Sequence, residues 1–258
     1  MNLNLTNQLF IVGGATSGFG NAIAKALVAE GAKVIAVARR AEKIADLESA
    51  HKGQVEGIVG DITTSETIVK IIAQIGDRKI SGALINAGGP PAKSFIETTM
   101  EDWDASYQNV MRWKVELTKA LLPKMMEQNY GRLLYIESVS VKQPIENLVL
   151  SNSFRLGVVG FVKTLSQEIA SQGVTLNIMA PGYHDTPAIQ RIFAKKSENE
   201  GISMEAAQQV FEKNIPVKRM GTAEDFASLA IWLLSPVSGY LTGQTISVDG
   251  GVVLGTMG

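Results

Sequence analysis

The chain contains 258 residues, and 45% of them are hydrophobic, which is enough to bury the core of one large α/β domain. Its 24 basic and 25 acidic residues nearly cancel, so the charge favours neither nucleic acid nor anionic membranes as partners. The absence of cysteine excludes disulfides and thiolate chemistry, and two histidines cannot form a histidine-rich metal site. No signal-peptide pattern or bilayer-length apolar run is visible. We therefore expect a single cytoplasmic domain over residues 1–258, without bound metal.

Segments with strand character alternate with helical patterns along the chain. The predicted strands are Leu9–Val12, Lys33–Val37, Val55–Val59, Ala83–Asn86, Leu133–Ile136, Thr175–Met179 and Thr245–Val248. The predicted helices are Asn21–Glu30, about Glu66–Ile75, Glu101–Gln128, Leu156–Ala170 and one that begins at Thr222 with Asp225 in its capping box. This alternation predicts an α/β fold, a doubly wound parallel seven-stranded sheet with helices on both faces.

The segment from Tyr183 to about Pro216 departs from this pattern. It is polar and separates the sixth predicted strand from the next predicted helix. Two interpretations fit it equally well: a mobile helical excursion over a binding site, or a plain surface insertion.

A glycine-rich turn follows the first predicted strand. The segment Phe10–Gly20 places Gly14, Gly18 and Gly20 between that strand and a helix. Glycine suits such a turn because backbone can approach a phosphate closely only where no side chain intervenes. The free N–H groups and the dipole of the following helix would then attract a pyrophosphate. The pattern predicts a dinucleotide site, against the alternative of a turn that is merely tight.

The end of the second predicted strand indicates which dinucleotide is bound. An acidic residue there would accept hydrogen bonds from the adenosine ribose and favour NAD(H). The chain instead has Arg39 and Arg40 after Ala38, and a guanidinium matches a 2′-phosphate in charge and geometry. We predict NADP(H) in preference to NAD(H); the alternative is two solvated arginines that open a helix.

With these motifs in place, the chain resembles a short-chain dehydrogenase/reductase from end to end. The family's TGxxxGxG turn matches Gly13–Gly20, with Gly13 in place of threonine. Its other motifs match, in order, Asp61-Ile62, Asn86-Ala87-Gly88, Ser138, Pro181-Gly182 with Thr186, Gly243 and Asp249-Gly250-Gly251. The likeness is strongest to 3-oxoacyl-carrier-protein reductases. It implies a Rossmann-like fold, a small carbonyl or alcohol substrate, and a homodimer or homotetramer.

The resemblance also implies roles for particular residues. Ser138, Ser151 and Arg155 occupy catalytic positions. Asp61 would contact the adenine, and Thr186 the nicotinamide carboxamide. The full predicted cofactor set is Gly14, Ser17, Gly18, Phe19, Gly20, Arg39, Arg40, Asp61, Ile62, Asn86, Ala87, Gly88, Arg155, Pro181, Gly182 and Thr186.

The chain departs from the family at its decisive Tyr-xxx-Lys motif. Thirteen residues after Ser138 the sequence has Ser151, and four residues later Arg155, so the motif becomes Ser-xxx-Arg. A serine hydroxyl is a far weaker acid than a phenol, and arginine stays protonated, so it cannot shuttle a proton. We therefore expect cofactor binding to survive better than ordinary proton transfer.

Other residues are candidates to replace the lost groups. Tyr183, His184 and Lys142 could each bring a proton donor or a cation to the site, or could be ordinary packing and surface residues. The family's helix asparagine falls on Val110, one residue after Asn109. Asn109 could serve only if a local bulge rotates it inward; otherwise it is a solvated helix residue.

Three functions remain open at this stage. The first is an NADP(H)-dependent oxidoreductase with an atypical proton donor. The second is an NADP(H)-binding protein with little or no turnover, acting as a sensor or assembly partner. The third is a non-redox lyase similar to the halohydrin dehalogenases, which carry arginine at the lysine position. That third function fits least, because those proteins keep the tyrosine and fill the cofactor site.

Overall fold

The computed structural model describes residues 1–256, apart from the side chains of Ala188, Arg191, Lys195 and Asn199. Its centre is a seven-stranded sheet in which every pairing is parallel. The strands are β1 (Leu9–Gly13), β2 (Lys33–Ala38), β3 (Val55–Val59), β4 (Gly82–Ile85), β5 (Gly131–Ile136), β6 (Val174–Pro181) and β7 (Thr245–Val248). Their spatial order, β3-β2-β1-β4-β5-β6-β7, reverses direction between β1 and β4. The predicted doubly wound fold is confirmed.

Helices cover both faces of this sheet. They are α1 (Gly18–Ala29), α2 (Ala41–Ala50), α3 (Ser65–Ile75), α4 (Met100–Ser106), α5 (Trp113–Glu127), α6 (Val149–Ile169), α7 (Pro187–Glu200), α8 (Met204–Lys213) and α9 (Ala223–Leu234). None of the helices among the described residues is both long and apolar enough to cross a membrane.

Alternation along the strands divides the core into two layers. In β1, Phe10 and Val12 pack under α1, α2 and α9, whereas Leu9 and Ile11 pack under α3, α5 and α6. Successive side chains of a strand point to opposite faces, so a strand buried on both faces is apolar throughout. The same alternation puts the side chains of Tyr135 and Glu137, the latter just beyond β5, on the face of the sheet that α5 and α6 cover.

Two predicted helices differ most from those observed. The predicted continuous helix Glu101–Gln128 is interrupted at Tyr107–Arg112 by a π-helical segment between α4 and α5. The helix predicted over Leu156–Ala170 begins earlier in the structure, at Val149. The sequence pattern did not show this start because the polar residues Ser151, Asn152 and Ser153 interrupt the apolar periodicity of the first turns. The early start places residues 151 and 155 within α6.

Two helices, α7 and α8, occupy most of the segment 183–216. They pack around a small apolar cluster of their own that includes Ile189, Phe193 and Ala207. An isolated parallel bridge between His184 and Gly221 links the start of this segment to the chain that follows it. Its role as an excursion over a binding site stays a prediction, as does the single-domain assignment of residues 1–258.

Candidate active site

The glycine turn between β1 and α1 has the backbone geometry that its sequence predicts. Gly14 and Gly18 adopt φ of +66° and +51°, a region that side chains disfavour. A Cβ atom on Gly20 would lie 2.3 Å from the Gly14 carbonyl oxygen, so only glycine lets α1 start this close to the turn. The Ser17 side chain makes no capping hydrogen bond to α1, which leaves the helix amino end without a side-chain cap.

The residue before this turn, Gly13, has no room for a side chain in this structure. A Cβ on Gly13 would lie 2.5 Å from the Asn86 carbonyl oxygen and 2.9 Å from the Ile62 side chain. Asn86, just beyond β4, also donates a hydrogen bond of 3.1 Å from its side-chain nitrogen to the Gly13 carbonyl. A threonine at position 13 would therefore force β1 and β4 apart at their carboxyl ends.

The predicted adenosine-end residues lie where β2 and β3 end. Arg39 and Arg40 are both exposed, and Arg40 is the N-cap of α2. Neither guanidinium forms an ion pair with another residue in the described part of the chain. One carboxylate oxygen of Asp61 accepts hydrogen bonds from the backbone and the hydroxyl of Thr63. These two bonds stabilise the turn and leave the second oxygen of Asp61 available.

The segment after β6 returns to the glycine turn. The Thr186 side chain lies 3.7 Å from the position of a Cβ on Gly18. A Cβ on Gly182 would lie 2.7 Å from the Asp249 side chain, and the Gly182 amide donates to the Val248 carbonyl. The carboxyl ends of β1, β4 and β6 thus converge at one edge, where doubly wound sheets bind ligands.

Ser138 lies just beyond β5 at the same edge and is half-buried. Its hydroxyl oxygen accepts a 3.2 Å hydrogen bond from the Ser140 amide. That oxygen's own hydrogen has no acceptor among the described protein groups, so Ser138 is able to donate to a ligand.

Ser151 and Arg155 lie one turn apart on α6 and contact each other directly. The Arg155 Nε donates a 3.0 Å hydrogen bond to the Ser151 hydroxyl oxygen. Ser151 is only 7% exposed. The Arg155 Nη2 lies 2.9 Å from where a Cβ on Gly89 would stand, next to the Asn86-Ala87-Gly88 segment. The structure therefore brings Ser151, Arg155 and the β4 end together.

Behind Arg155 is a buried ionic network that the sequence analysis did not identify. The Glu137 carboxylate accepts a 2.9 Å hydrogen bond from the Arg155 Nη1 on one oxygen and a very short one from the Lys114 ammonium on the other. The side chains of Glu137, Lys114 and Arg155 are 0%, 4% and 11% exposed. Three charges of net +1 thus lie out of water at the carboxyl end of β5.

Burial lowers the pKa of Lys114 to about 8, and the neighbouring Arg155 cation acts in the same direction. Glu137 opposes both effects because a carboxylate favours the ammonium form. Nearby, burial raises the pKa of the Tyr135 phenol, whose oxygen lies 2.7 Å from the Thr118 hydroxyl. Tyr135 therefore stays neutral within the core and is not an acid that the site can use.

No asparagine of the described chain occupies the place of the family's helix asparagine in this site. The bulge that Asn109 would need is present as the π-helical segment Tyr107–Arg112, yet Asn109 remains exposed and Val110 is the buried residue. The π-helical segment does not rotate Asn109 inward. One turn later, Lys114 is the polar residue that faces the β5 end.

Of the alternative proton donors, His184 is packed into the interior. It is 4% exposed, and its ring lies edge-on to Phe19 and Phe226 at centroid distances of 5.0 and 5.5 Å. Burial lowers the pKa of His184. Tyr183 stacks edge-on against Phe211 of α8, and Lys142 follows the short 3₁₀ helix Val139–Val141. The packing of both rings is that of structural residues.

The network could have been found from periodicity. Leu133, Tyr135 and Glu137 alternate along β5, so Glu137 extends the buried α5/α6 face by one position. Lys114 falls on the apolar stripe of α5, three residues before the buried Leu117. A charge on each of two facing apolar surfaces was the signal for an ion pair.

The comparisons with known proteins agree with this architecture. A family model described as enoyl-(acyl carrier protein) reductase matches residues 14–253. The chain belongs to the short-chain dehydrogenase/reductase family.

Its relatives include reductases of known type. The chain is 32% identical to the 3-oxoacyl-acyl-carrier-protein reductase FabG of Haemophilus influenzae, over 97% of this chain and all of that protein. It is 31% identical to nodulation protein G of a Rhizobium species, over 97% and 98%. An actinorhodin polyketide ketoreductase solved with NADPH has 27% identity and a TM-score of 0.90, over 96% and 98%. L-sorbose reductase from Gluconobacter frateurii shares the fold, with 23% identity and a TM-score of 0.92 over 99% and 100%.

Proposed function

We propose that this protein is an NADP(H)-dependent oxidoreductase that acts on a small carbonyl or alcohol substrate, similar to a 3-oxoacyl reductase, with an atypical proton donor. The observation that carries the proposal is the open glycine cradle at the amino end of α1. Gly14 and Gly18 have positive φ, Gly20 allows close packing, and no side chain caps the helix. Such a cradle fits a pyrophosphate. The FabG relatives and the NADPH-bound ketoreductase support the same assignment.

Different residues of the chain would bind different parts of the cofactor. The amides at the start of α1 would hold the pyrophosphate, and Arg39 and Arg40 would bind the 2′-phosphate. Thr186 and the Gly182 backbone would orient the nicotinamide end, and Arg155 would bind the nearby ribose through Nη2. When bound, the cofactor supplies the hydride chemistry.

Ser138 and Ser151 supply the hydroxyl groups of the proposed substrate site. Ser138 would donate to the substrate oxygen as negative charge develops there. Ser151 accepts from Arg155, so its proton points away from the guanidinium. Both hydroxyls would polarise a carbonyl, but neither is as acidic as a phenol.

The arginines give a direct test of the cofactor. We expect NADPH to quench the tryptophan fluorescence with a dissociation constant several-fold below that of NADH. In Arg39→Ala and Arg40→Ala, NADPH affinity should fall about tenfold while NADH affinity stays the same, since each loses one charge-assisted contact to the extra phosphate. Equal loss for both dinucleotides would contradict the assignment of the 2′-phosphate to these residues.

A second candidate function is NADP(H) binding with little or no turnover. Ser151 favours it, because it is 7% exposed and already accepts a hydrogen bond from Arg155. A panel of ketoacyl, sugar and steroid-like carbonyls with NADPH separates the two functions. Turnover supports the oxidoreductase, and binding without turnover supports the sensor or assembly role.

The double variant Ser151→Tyr, Arg155→Lys tests whether the site is otherwise competent. We expect a large gain in carbonyl reduction, because a phenol beside a lysine cation is a much better proton donor than serine. The single variant Arg155→Lys is the matched control and should gain little. No gain in the double variant, with NADPH still bound, would assign the defect to the rest of the site.

We further propose a cytoplasmic homo-oligomer. The exposed apolar residues Tyr107 and Leu156, on the π-helical segment and α6, lie on the elements that the family resemblance assigns to subunit contacts. Light scattering after size-exclusion chromatography should give a mass of two or four chains; a mass of one chain would reject the proposal.

A further inference from the structure

The buried network joins α5, β5 and α6 into one chain of charge-assisted hydrogen bonds. It runs from the Lys114 ammonium to the Glu137 carboxylate, then to the Arg155 guanidinium and finally to the Ser151 hydroxyl. Each link crosses between elements or between turns of α6. Because all three charged side chains are nearly excluded from water, each relies on the others for compensation.

Glu137 determines the orientation of the guanidinium. Arginine presents its N–H donors in a rigid planar fork. Two of the three nitrogens of Arg155 are engaged, Nη1 with Glu137 and Nε with Ser151, and together they fix the plane of the group. The third nitrogen, Nη2, has no hydrogen-bond acceptor among the described residues and lies beside Gly89, at the β4 end.

The same geometry sets the direction of the serine proton. Because Arg155 Nε donates to the Ser151 oxygen, the hydroxyl hydrogen cannot lie between these two atoms. Ser151 is therefore kept as a donor toward another acceptor. Without Glu137, Lys114 and Arg155 would be two buried cations with no anion between them, and their repulsion would drive the guanidinium away from this position.

We infer that Glu137 is a positioning residue, with Lys114 as its counter-cation: it holds Arg155 so that Nη2 faces the ligand and Ser151 donates its proton. The inference rests on the proposed NADP(H) site. It adds two residues, Glu137 just beyond β5 and Lys114 on α5, that match no motif noted in the sequence.

The test is NADPH titration of Glu137→Gln. Charge alone predicts tighter binding, because the variant removes a negative charge next to a site for a polyanion. Positioning predicts the opposite, a loss of about tenfold, because a neutral amide holds the guanidinium by a weaker hydrogen bond than the carboxylate does. Glu66→Gln, which alters an exposed ion pair with Lys70, is the matched control and should leave affinity unchanged.

Glu137→Gln leaves two buried cations unpaired and is expected to lose stability, so a second variant keeps the test valid. In Glu137→Gln, Lys114→Met the surplus cation is gone, and thermal stability should recover toward that of the wild type. If Glu137 only stabilises the fold, NADPH affinity recovers as well. If it positions Arg155, affinity remains about tenfold weaker in the refolded double variant.

A pH profile of NADPH affinity tests the counter-cation role of Lys114. Wild-type affinity should weaken from pH 7 to pH 9 as Lys114 loses its proton, and Lys114→Met should remove this slope. Unchanged or tighter NADPH binding in Glu137→Gln overturns the inference, and an unaltered slope in Lys114→Met overturns the counter-cation role of Lys114. If the wild type binds neither NADPH nor NADH, the proposed function fails first and the inference fails with it.

Discussion

Replacement of Lys114 by methionine should change how the stability of this protein depends on pH. Methionine has a similar length and no charge, so it occupies the apolar stripe of α5 without a buried cation. Glu137 keeps Arg155 as its partner at 2.9 Å. The comparison of Lys114→Met with the wild type therefore isolates the ionisation of one amine.

The direction follows from proton binding. The pKa of Lys114 is about 8 in the folded chain and 10.5 for an ordinary lysine, because burial disfavours the ammonium. Between these values the unfolded chain binds a proton that the folded chain does not, so the free energy of unfolding of the wild type rises with pH. Below pH 8 the amine is charged in both states and the folded protein carries the full cost, about 3 kcal/mol at roughly 1.4 kcal/mol per pKa unit.

Urea denaturation at pH 7, 8, 9 and 10 measures this effect. The difference in unfolding free energy, wild type minus Lys114→Met, should grow by about 2 to 3 kcal/mol between pH 7 and pH 10. Ionisation of other groups, including the buried Tyr135, is common to both proteins and cancels in the difference. Parallel pH curves for the two proteins would show that Lys114 is not desolvated in the folded chain, and the ionic network would have to be reconsidered.

Three further variants test the turn and the helix geometry. Gly20→Ala should abolish NADPH binding and lower the melting temperature, since its Cβ would lie 2.3 Å from the Gly14 carbonyl; an unaffected titration would contradict the close approach. Gly160→Ala, in an open position on α6, should instead raise stability by about 0.5–1 kcal/mol in urea, and a decrease would reveal an unseen contact. Thr222→Ala should cost α9 about 1 kcal/mol, because the hydroxyl accepts a 3.0 Å bond from the Asp225 amide; no loss of melting temperature would refute the capping role.

The resemblance to known families and local periodicity were enough to predict the fold. Val55–Val59 and Thr245–Val248 were predicted with the observed bounds, because apolar strand segments there are sharply bounded by polar or glycine residues. The capping box at Thr222 was also predicted, and Asp225 fills it with both hydrogen bonds. The start of α6 was missed by seven residues because its first turns carry serine and asparagine.

The sequence by itself determined the class of the protein. The glycine turn, the succession of strands along the chain and the family motifs are each formed by residues close together in the sequence, so they can be recognised without the fold. Only the tertiary structure decided the surroundings of Arg155. Lys114, Glu137 and Arg155 belong to three separate elements, and their charges interact only because the sheet brings α5 and α6 against the end of β5. The same folding removed His184 from the candidate proton donors by enclosing it between Phe19 and Phe226. Contacts between residues distant along the chain, and the exclusion of water around them, arise only from packing.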